Sequence, residues 1–174
     1  MIEHLDLLAK AGIDSFKIEG RIKGINYVAG VVKVYREAID SISTDKKFEV
    51  NPRWLRELSM SSSRGYTTGM FFGRQIDSGY NFDGESYRMS HEFVGVVVEV
   101  NGGEAKVELR NRLDAGDEVE FLSHGLEEKL FKLEQLKDED GSFIVSARNE
   151  NVIFMAVPDG VSAGDLIRRP IKVA

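Results

Sequence analysis

A single strand-like segment sits between two helical patterns in the first 45 residues, and one strand cannot make a sheet. The segment is DSFKIEG, residues 14–20, with Phe16 and Ile18 on one face and Lys17 and Glu19 on the other. Before it, EHLDLLAKA (3–11) reads as a helix with Leu5, Leu7, Leu8 and Ala11 apolar, stopped by Gly12. After it, from Asn26 to Ile42, the residues Val28, Val31, Val32, Tyr35, Ala38, Ile39 and Ile42 recur at spacings of three and four, the stripe of an amphipathic helix. Helix–strand–helix is the unit of an α/β domain, whose closed-barrel form takes about 250 residues and eight strands. Residues 1–45 are therefore expected to be the remnant of such a domain, with the chain beginning inside it. The competing reading is a small α+β fold in which residues 14–20 pair with a later sheet.

The next stretch supplies no second α/β unit. Residues 51–62 (NPRWLRELSMSS) predict a short helix with Asn51 as N-cap and Pro52 at its first position. SSSRGYTTGMFFGRQIDSGYNFDGES then shows no clean period and reads as an ordered loop, because Tyr66, Phe71, Phe72, Tyr80 and Phe82 are unusual in a disordered tether. Residues 46–87 are taken as a linker.

From Glu92 the period becomes two. Val94, Val96, Val98 and Val100 alternate with Phe93, Gly95, Val97 and Glu99, Asn101-Gly102-Gly103 supplies a hairpin turn, and Ala105, Val107 and Leu109 face in while Lys106, Glu108 and Arg110 face out. Further strands are expected near 117–122, 128–133, 142–147, 151–157 and 165–169. Ala115-Gly116-Asp117 and Ala163-Gly164-Asp165 form an internal echo, each a turn before a strand. The pattern predicts a mainly β fold, with residues 88–174 as a small antiparallel β-barrel whose closure hides the edges of so small a sheet.

Composition narrows the chemistry. The chain has no cysteine, which removes disulfides, thiolate zinc sites, iron–sulfur ligation and cysteine nucleophiles from within it. It has neither an apolar run long enough for a bilayer nor a signal-peptide pattern, which fits a cytoplasmic protein with no membrane partner. Residues 1–87 carry 12 basic and 12 acidic side chains and residues 88–174 carry 11 and 17, so the whole net charge of −6 lies in the second half. That half is a poor main footprint for nucleic acid, which wants a basic stripe.

The sharpest constellation is Lys17, Glu19 and Arg21. Lys17 and Glu19 share a strand face at the end where α/β barrels build active sites, and Gly20-Arg21-Ile22-Lys23-Gly24 leads into a helix N-terminus suited to an anion. The plainer reading is an ion pair and a solvated arginine. Arg64-Gly65-Tyr66-Thr67-Thr68-Gly69 could clamp a phosphate or carboxylate through Arg64, Tyr66, Thr67 and Thr68, or simply tie down its own backbone. Arg110-Asn111-Arg112 is the dense basic spot of the acidic half: a hairpin-end charge cluster by default, a partner contact otherwise. His4, His91 and His124 lie far apart with no i,i+4 pairing, so no metal site is expected, and no serine elbow is present for a hydrolase triad.

Three blocks, AGIDSFKIEGRIKGINYVAGVVKVYREAID (11–40), SSRGYTTGMFFG (61–72) and HEFVGVVVEVNGGEAKVELRNRLDAGDEVEFL (91–122), resemble the C-terminal part of the bacterial collagenase-like protease family, peptidase family U thirty-two, of the YegQ type. The resemblance implies a parent with an α/β-barrel-like catalytic domain followed by a β-barrel that is itself similar to the second domain of translation elongation factors. It implies peptidase activity by family name, and hydroxylation of uridine in tRNA by the YegQ type. Several relatives carry a cysteine-ligated iron–sulfur cluster; its signature would lie upstream, so neither cluster nor catalysis is expected of this chain alone. Gly24-Ile25-Asn26 stands where the family usually shows Ser-Pro-Glu.

Two functions follow as expectations. In the first, the β-barrel is an accessory domain that positions a protein or tRNA substrate or a partner, with Glu19 and Arg21 bordering the active site of an upstream catalytic domain. In the second, the chain is a stand-alone peptidase for collagen-like substrates, which would need Lys17, Glu19 and the histidines as acid–base groups, without paired carboxylates or a nucleophile to work with. The Val28–Ile42 stripe is costly to expose at about 25 cal/mol per Å², so residues 1–45 are expected to pack on something, a second copy of the chain included.

Overall fold

A computed structural model describes residues 1–42, 46–60, 66–73, 89–123 and 130–171. The chain divides into two compact units, Met1–Ser90 and His91–Ala174.

The first unit is helical. A 3-10 turn at Ile2–His4 runs into α1 (Leu5–Lys10), followed by α2 (Ile25–Asp40) and α3 (Pro52–Met60). Asn51 caps α3 as expected: its Oδ1 accepts the Arg53 backbone N–H at 3.0 Å. The buried Trp54 of α3 donates its indole N–H to Glu37 Oε2 at 3.4 Å, tying α3 to α2. α2 buries only part of the predicted stripe. Val31, Val34 and Ala38 are buried with Asn26 and Gly30, whereas Val28 and Val32 stand outside with Ile25. The helix is apolar over more than one side, and Trp54 of α3 ties to it through Glu37.

The strand expected at 14–20 does not form: residues 13–20 belong to neither helix nor strand. Their alternation is nonetheless present, with Phe16 and Ile18 half-buried and Lys17 and Glu19 exposed. Alternation is a property of the segment alone, whereas a ladder needs a neighbour for its N–H and C=O groups, and no strand among the described residues takes that place.

The second unit is all β. Its strands are β1 (His91–Asn101), β2 (Glu104–Leu109), β3 (Leu113–Asp114), β4 (Glu118–Leu122), β5 (Leu130–Lys132), β6 (Leu136–Lys137), β7 (Phe143–Ile144), β8 (Ser146–Ala147), β9 (Val152–Ala156) and β10 (Leu166–Pro170). Eight of them make one antiparallel sheet in the order β5-β4-β10-β1-β2-β9-β6-β7, and β3 pairs with β8 in a small second ladder. The sheet curls into a half-barrel; among the described residues its end strands β5 and β7 are not paired with each other. The inner face carries the core, including Val94, Val97, Val107, Leu109, Phe121 and Ile167. No helix among the described residues is long and apolar enough to cross a membrane.

The β1–β2 hairpin turns through Gly102 and Gly103, both with positive φ (57° and 82°), the geometry a two-residue turn between twisted strands requires. Ala105, Val107 and Leu109 of β2 point inward as predicted. On β1 the simple alternation fails. The register shifts between Phe93 and Gly95 against β10 and between Val97 and Glu99 against β2. Each bulge moves the phase by one residue, so Val94 and Val97 are buried while Val98 is 42% exposed.

The Ala-Gly-Asp echo is structural. Gly116 donates to Leu133 O at 2.6 Å and Leu133 donates back to Asp117 O at 2.9 Å; Gly164 donates to Val97 O at 2.8 Å and Val97 donates back to Asp165 O at 2.9 Å. Each aspartate then folds its carboxylate back on its own turn, Asp117 accepting from Asp114 N at 3.1 Å and Asp165 from Ser162 N at 3.0 Å. The two turns launch β4 and β10, which pair with each other.

Gly95 allows β1 and β2 to approach. A Cβ there would lie 2.6 Å from the Glu108 carbonyl oxygen, a backbone atom that cannot swing away. Gly95→Ala is expected to cost about 1–3 kcal/mol and to lower the urea midpoint of the β unit without changing the slope of the transition.

Candidate functional site

Lys17 and Glu19 satisfy each other: Lys17 Nζ lies 2.7 Å from Glu19 Oε1, with the two side chains 85% and 69% exposed. Arg21 follows on the surface. A solvated pair of this kind contributes little to stability, and the three residues share an irregular surface segment of the first unit. In the RGYTTG block, Arg64 lies outside the described residues. Tyr66 donates its hydroxyl to Leu58 O at 2.9 Å, anchoring the loop to the end of α3. Thr67 Oγ1 accepts from Gly69 N at 3.3 Å and the Thr68 carbonyl accepts from Phe71 N at 3.2 Å. These contacts build the loop's own turn.

The Arg110-Asn111-Arg112 cluster is absorbed into the β unit. Arg110 bonds Glu108 at 2.8 Å, Asn111 Nδ2 donates to Glu92 Oε2 at 2.9 Å, and Arg112 Nε donates to Asp114 Oδ1 at 2.9 Å. Hydrogen bonds from Ser146 and Arg112 hold the Asp114 carboxyl below its usual range.

The densest polar arrangement centres on β10, which sequence patterning passed over. Its consecutive arginines point to opposite faces, as successive strand residues must. Arg169, directly opposite Glu92 on β1, bonds Glu92 Oε1 at 2.6 Å and also the Asp117 carboxylate of the first Gly-Asp turn. Arg168, opposite Glu120 on β4, donates from Nε to Glu120 Oε2 at 3.0 Å with both side chains almost fully buried. His91 Nε2 stands 3.5 Å from the other oxygen, Oε1. Burial alone would raise Glu120, but the His91 hydrogen bond and Arg168 outweigh it and hold the carboxyl below its ordinary value. The missed signal was pairwise: a basic dipeptide in the last strand needs two acids from strands distant in sequence, and alternation cannot show which.

A pocket of about 280 Å³ opens where β5 faces β9 and β6, lined by Phe131, Lys132, Glu134, Lys137, Phe154 and Met155 among others. A Lys137–Glu104 pair at 2.7 Å stands at its rim. Among the described residues no group of three or more histidines, cysteines, aspartates or glutamates is placed to hold a metal ion. His91 is engaged with Glu120, His4 packs against aromatic rings, and His124 lies outside the described residues.

Residues 1–80 match peptidase family U32, and residues 89–168 match the peptidase family U32 C-terminal domain. The chain belongs to peptidase family U32. Within the family it is similar to tRNA hydroxylation protein P1 of Bacillus subtilis, 37% identical over 152 residues that cover 86% of this chain and 36% of that protein. It is also similar to tRNA hydroxylation protein P of Escherichia coli, 36% identical over 70% of this chain and 27% of that protein. A Porphyromonas gingivalis collagenase is 27% identical over 79% of this chain and 39% of its own length. The chain thus spans about a third of the length of these curated U32 relatives. The crystal structure of the C-terminal domain of a Geobacillus thermoleovorans U32 protein is 30% identical, covering 46% of this chain and 93% of that one, with a TM-score of 0.43.

Glu120 has its folded pKa depressed, so the stability it contributes is complete above its unfolded value near 4.3 and is lost as pH falls through the lower folded value. Glu120→Gln removes the carboxylate paired with the buried Arg168 and is expected to cost about 3–5 kcal/mol at pH 7. It should also flatten the fall in stability below pH ~4.3. Urea melts of both proteins across pH 3 to 7 read out the two effects.

Proposed function

We propose that this chain is the C-terminal part of a U32-family protein that hydroxylates tRNA, and that its β unit is an accessory domain holding substrate or a partner. The observation that carries the reading is the 37% identity to a tRNA hydroxylation protein across 86% of the chain, spanning helical and β units alike. In this reading residues 1–45 complete the catalytic α/β domain, 46–87 connect, and 88–174 form the accessory barrel. The outward face of α2 (Ile25, Val28 and Val32, 54%, 38% and 46% exposed) is then covered by the rest of the catalytic domain. Glu19 and Arg21 border that domain's active site. An iron–sulfur cluster would draw its ligands from outside these residues, because the sequence holds no cysteine. A tRNA substrate puts the protein in the cytoplasm.

A second reading, a peptidase for collagen-like chains, is supported by the Porphyromonas gingivalis relative named collagenase, at a lower identity of 27%. The sequence holds no cysteine nucleophile to favour it.

Mass spectrometry of tRNA nucleosides from cells lacking the full-length protein tests the proposal. Hydroxylated nucleosides should disappear, return with the intact protein, and stay at least about tenfold lower with a version lacking residues 91–170. Unchanged modification in the deletion strain sinks the tRNA reading, and full rescue without the β unit sinks the accessory role. Gelatin turnover by the intact protein that persists through purification puts the peptidase first.

A further inference from the structure

We infer that Asn101 is a site of self-modification, where the tip of the β1–β2 hairpin converts its own side-chain amide to a carboxylate with water as the only reactant. The inference is independent of the tRNA reading and concerns the β unit by itself.

Sequence and turn together select this residue. The chain has seven asparagines, and Asn101 is the one followed by glycine. The other six precede Tyr27, Pro52, Phe82, Arg112, Glu150 and Val152, whose side chains crowd the following amide or, in proline, remove its N–H. Gly102 leaves that amide open: it is exposed, and a Cβ built on it would meet nothing within 4 Å. Among the described residues no hydrogen bond engages the Gly102 N–H. Asn101 is exposed too, and it ends β1 opposite Glu104 in the last rung of the β1–β2 ladder. Its Nδ2 donates to Glu99 Oε1 at 2.7 Å. That bond and the rung hold Asn101 in an extended setting, so attack waits on local opening. The last rung of a ladder opens more readily than the rungs behind it.

The chemistry balances without a cofactor or a redox partner. The Gly102 backbone nitrogen loses its proton to solvent and attacks Cγ of Asn101, closing a five-membered ring. Nδ2 takes up a proton and leaves as ammonia, and a succinimide remains. Water then adds to one of the two ring carbonyls and breaks its bond to the Gly102 nitrogen. Opening at Cγ restores the main chain and gives aspartate; opening at the backbone carbonyl carbon routes the main chain through Cγ and gives isoaspartate. The sum is one water consumed and one ammonia released.

The product changes the hairpin tip. The donor that now satisfies Glu99 becomes a carboxylate, and Glu104 stands directly opposite it on β2. Like charges so placed weaken a strand pair. Isoaspartate also lengthens the main chain at the residue that leads into Gly102-Gly103, which upsets the loop length on which the register depends.

The test is peptide mass spectrometry of the full chain, folded and in urea, sampled during incubation in neutral and in mildly alkaline buffer. The folded chain should gain about 1 Da, the exchange of an amide for an acid, on the peptide that contains Asn101. The gain should be faster at the higher pH, because the Gly102 nitrogen must lose its proton, and should resolve into two products of equal mass. Asn101→Gln keeps an amide but cannot close the five-membered ring, so it should stay folded by circular dichroism and show no gain over the same period. Asn101→Asp, which installs one product, should lower the urea midpoint of the β unit below that of Asn101→Gln. A gain in urea with none in the folded chain overturns the site, as does a gain spread evenly over the other asparagines. Equal midpoints for Asn101→Asp and Asn101→Gln overturn its effect on the hairpin.

Discussion

A guanidinium cannot be left alone in a protein interior, and β10 carries two in succession. The cost of burying an unpaired charge far exceeds what any single apolar contact returns. Arg168 therefore needs Glu120 on β4, and Arg169 needs Glu92 on β1 together with Asp117. Because consecutive strand residues face opposite ways, sliding β10 by one position would exchange the two arginines and strand both. The pairs thus select one register on each side of the strand. This goes beyond stability, since an apolar pair could fill the same volume but would not distinguish one alignment from the next.

The Gly-Asp turns complete that arrangement. Each uses glycine to reach a backbone conformation closed to other residues and aspartate to satisfy an amide within its own turn. Asp117 then spends its remaining capacity on Arg169 and Asp165 on Ser123 Oγ at 2.7 Å. The same local device, used twice, sets the starts of two neighbouring strands, β4 and β10.

Much of this was legible from residues alone. The period-two pattern gave β2 correctly because the extra residue of the β1–β2 bulge lies on β1 and leaves β2 regular, and the Gly102-Gly103 hairpin was evident because so few residues tolerate that turn. β1 was misread in detail because the extra residues of its two bulges, Val94 and Val98, are valines in a valine-rich run, so the apolar run does not show where the phase shifts. On α2 the stripe took in Val28 and Val32, which are exposed, and left out Val34, which is buried, because the helix is apolar on more than one side and only packing chooses between them. Of the site residues, the hydroxyl and arginine clusters were found by composition, but their partners, Leu58 O, Glu92 and Asp114, lie where no short motif could indicate them. The Arg168–Glu120 pair spans 48 positions and is a fact of topology. Similarity to U32 proteins carries the functional reading where single-residue chemistry does not.

The position of β10 has a bearing on how the molecule is made. Although last in sequence, it lies in the interior of the sheet, between β4 and β1. During synthesis the ribosome must therefore release residues 166–170 before those two strands have anything to hold between them, so the β unit assembles after translation of its end rather than progressively along its length. Until then the nascent chain holds two open edges and half of each ion pair. A cut a few residues short of that point would remove the strand that joins β5 and β4 to the other five.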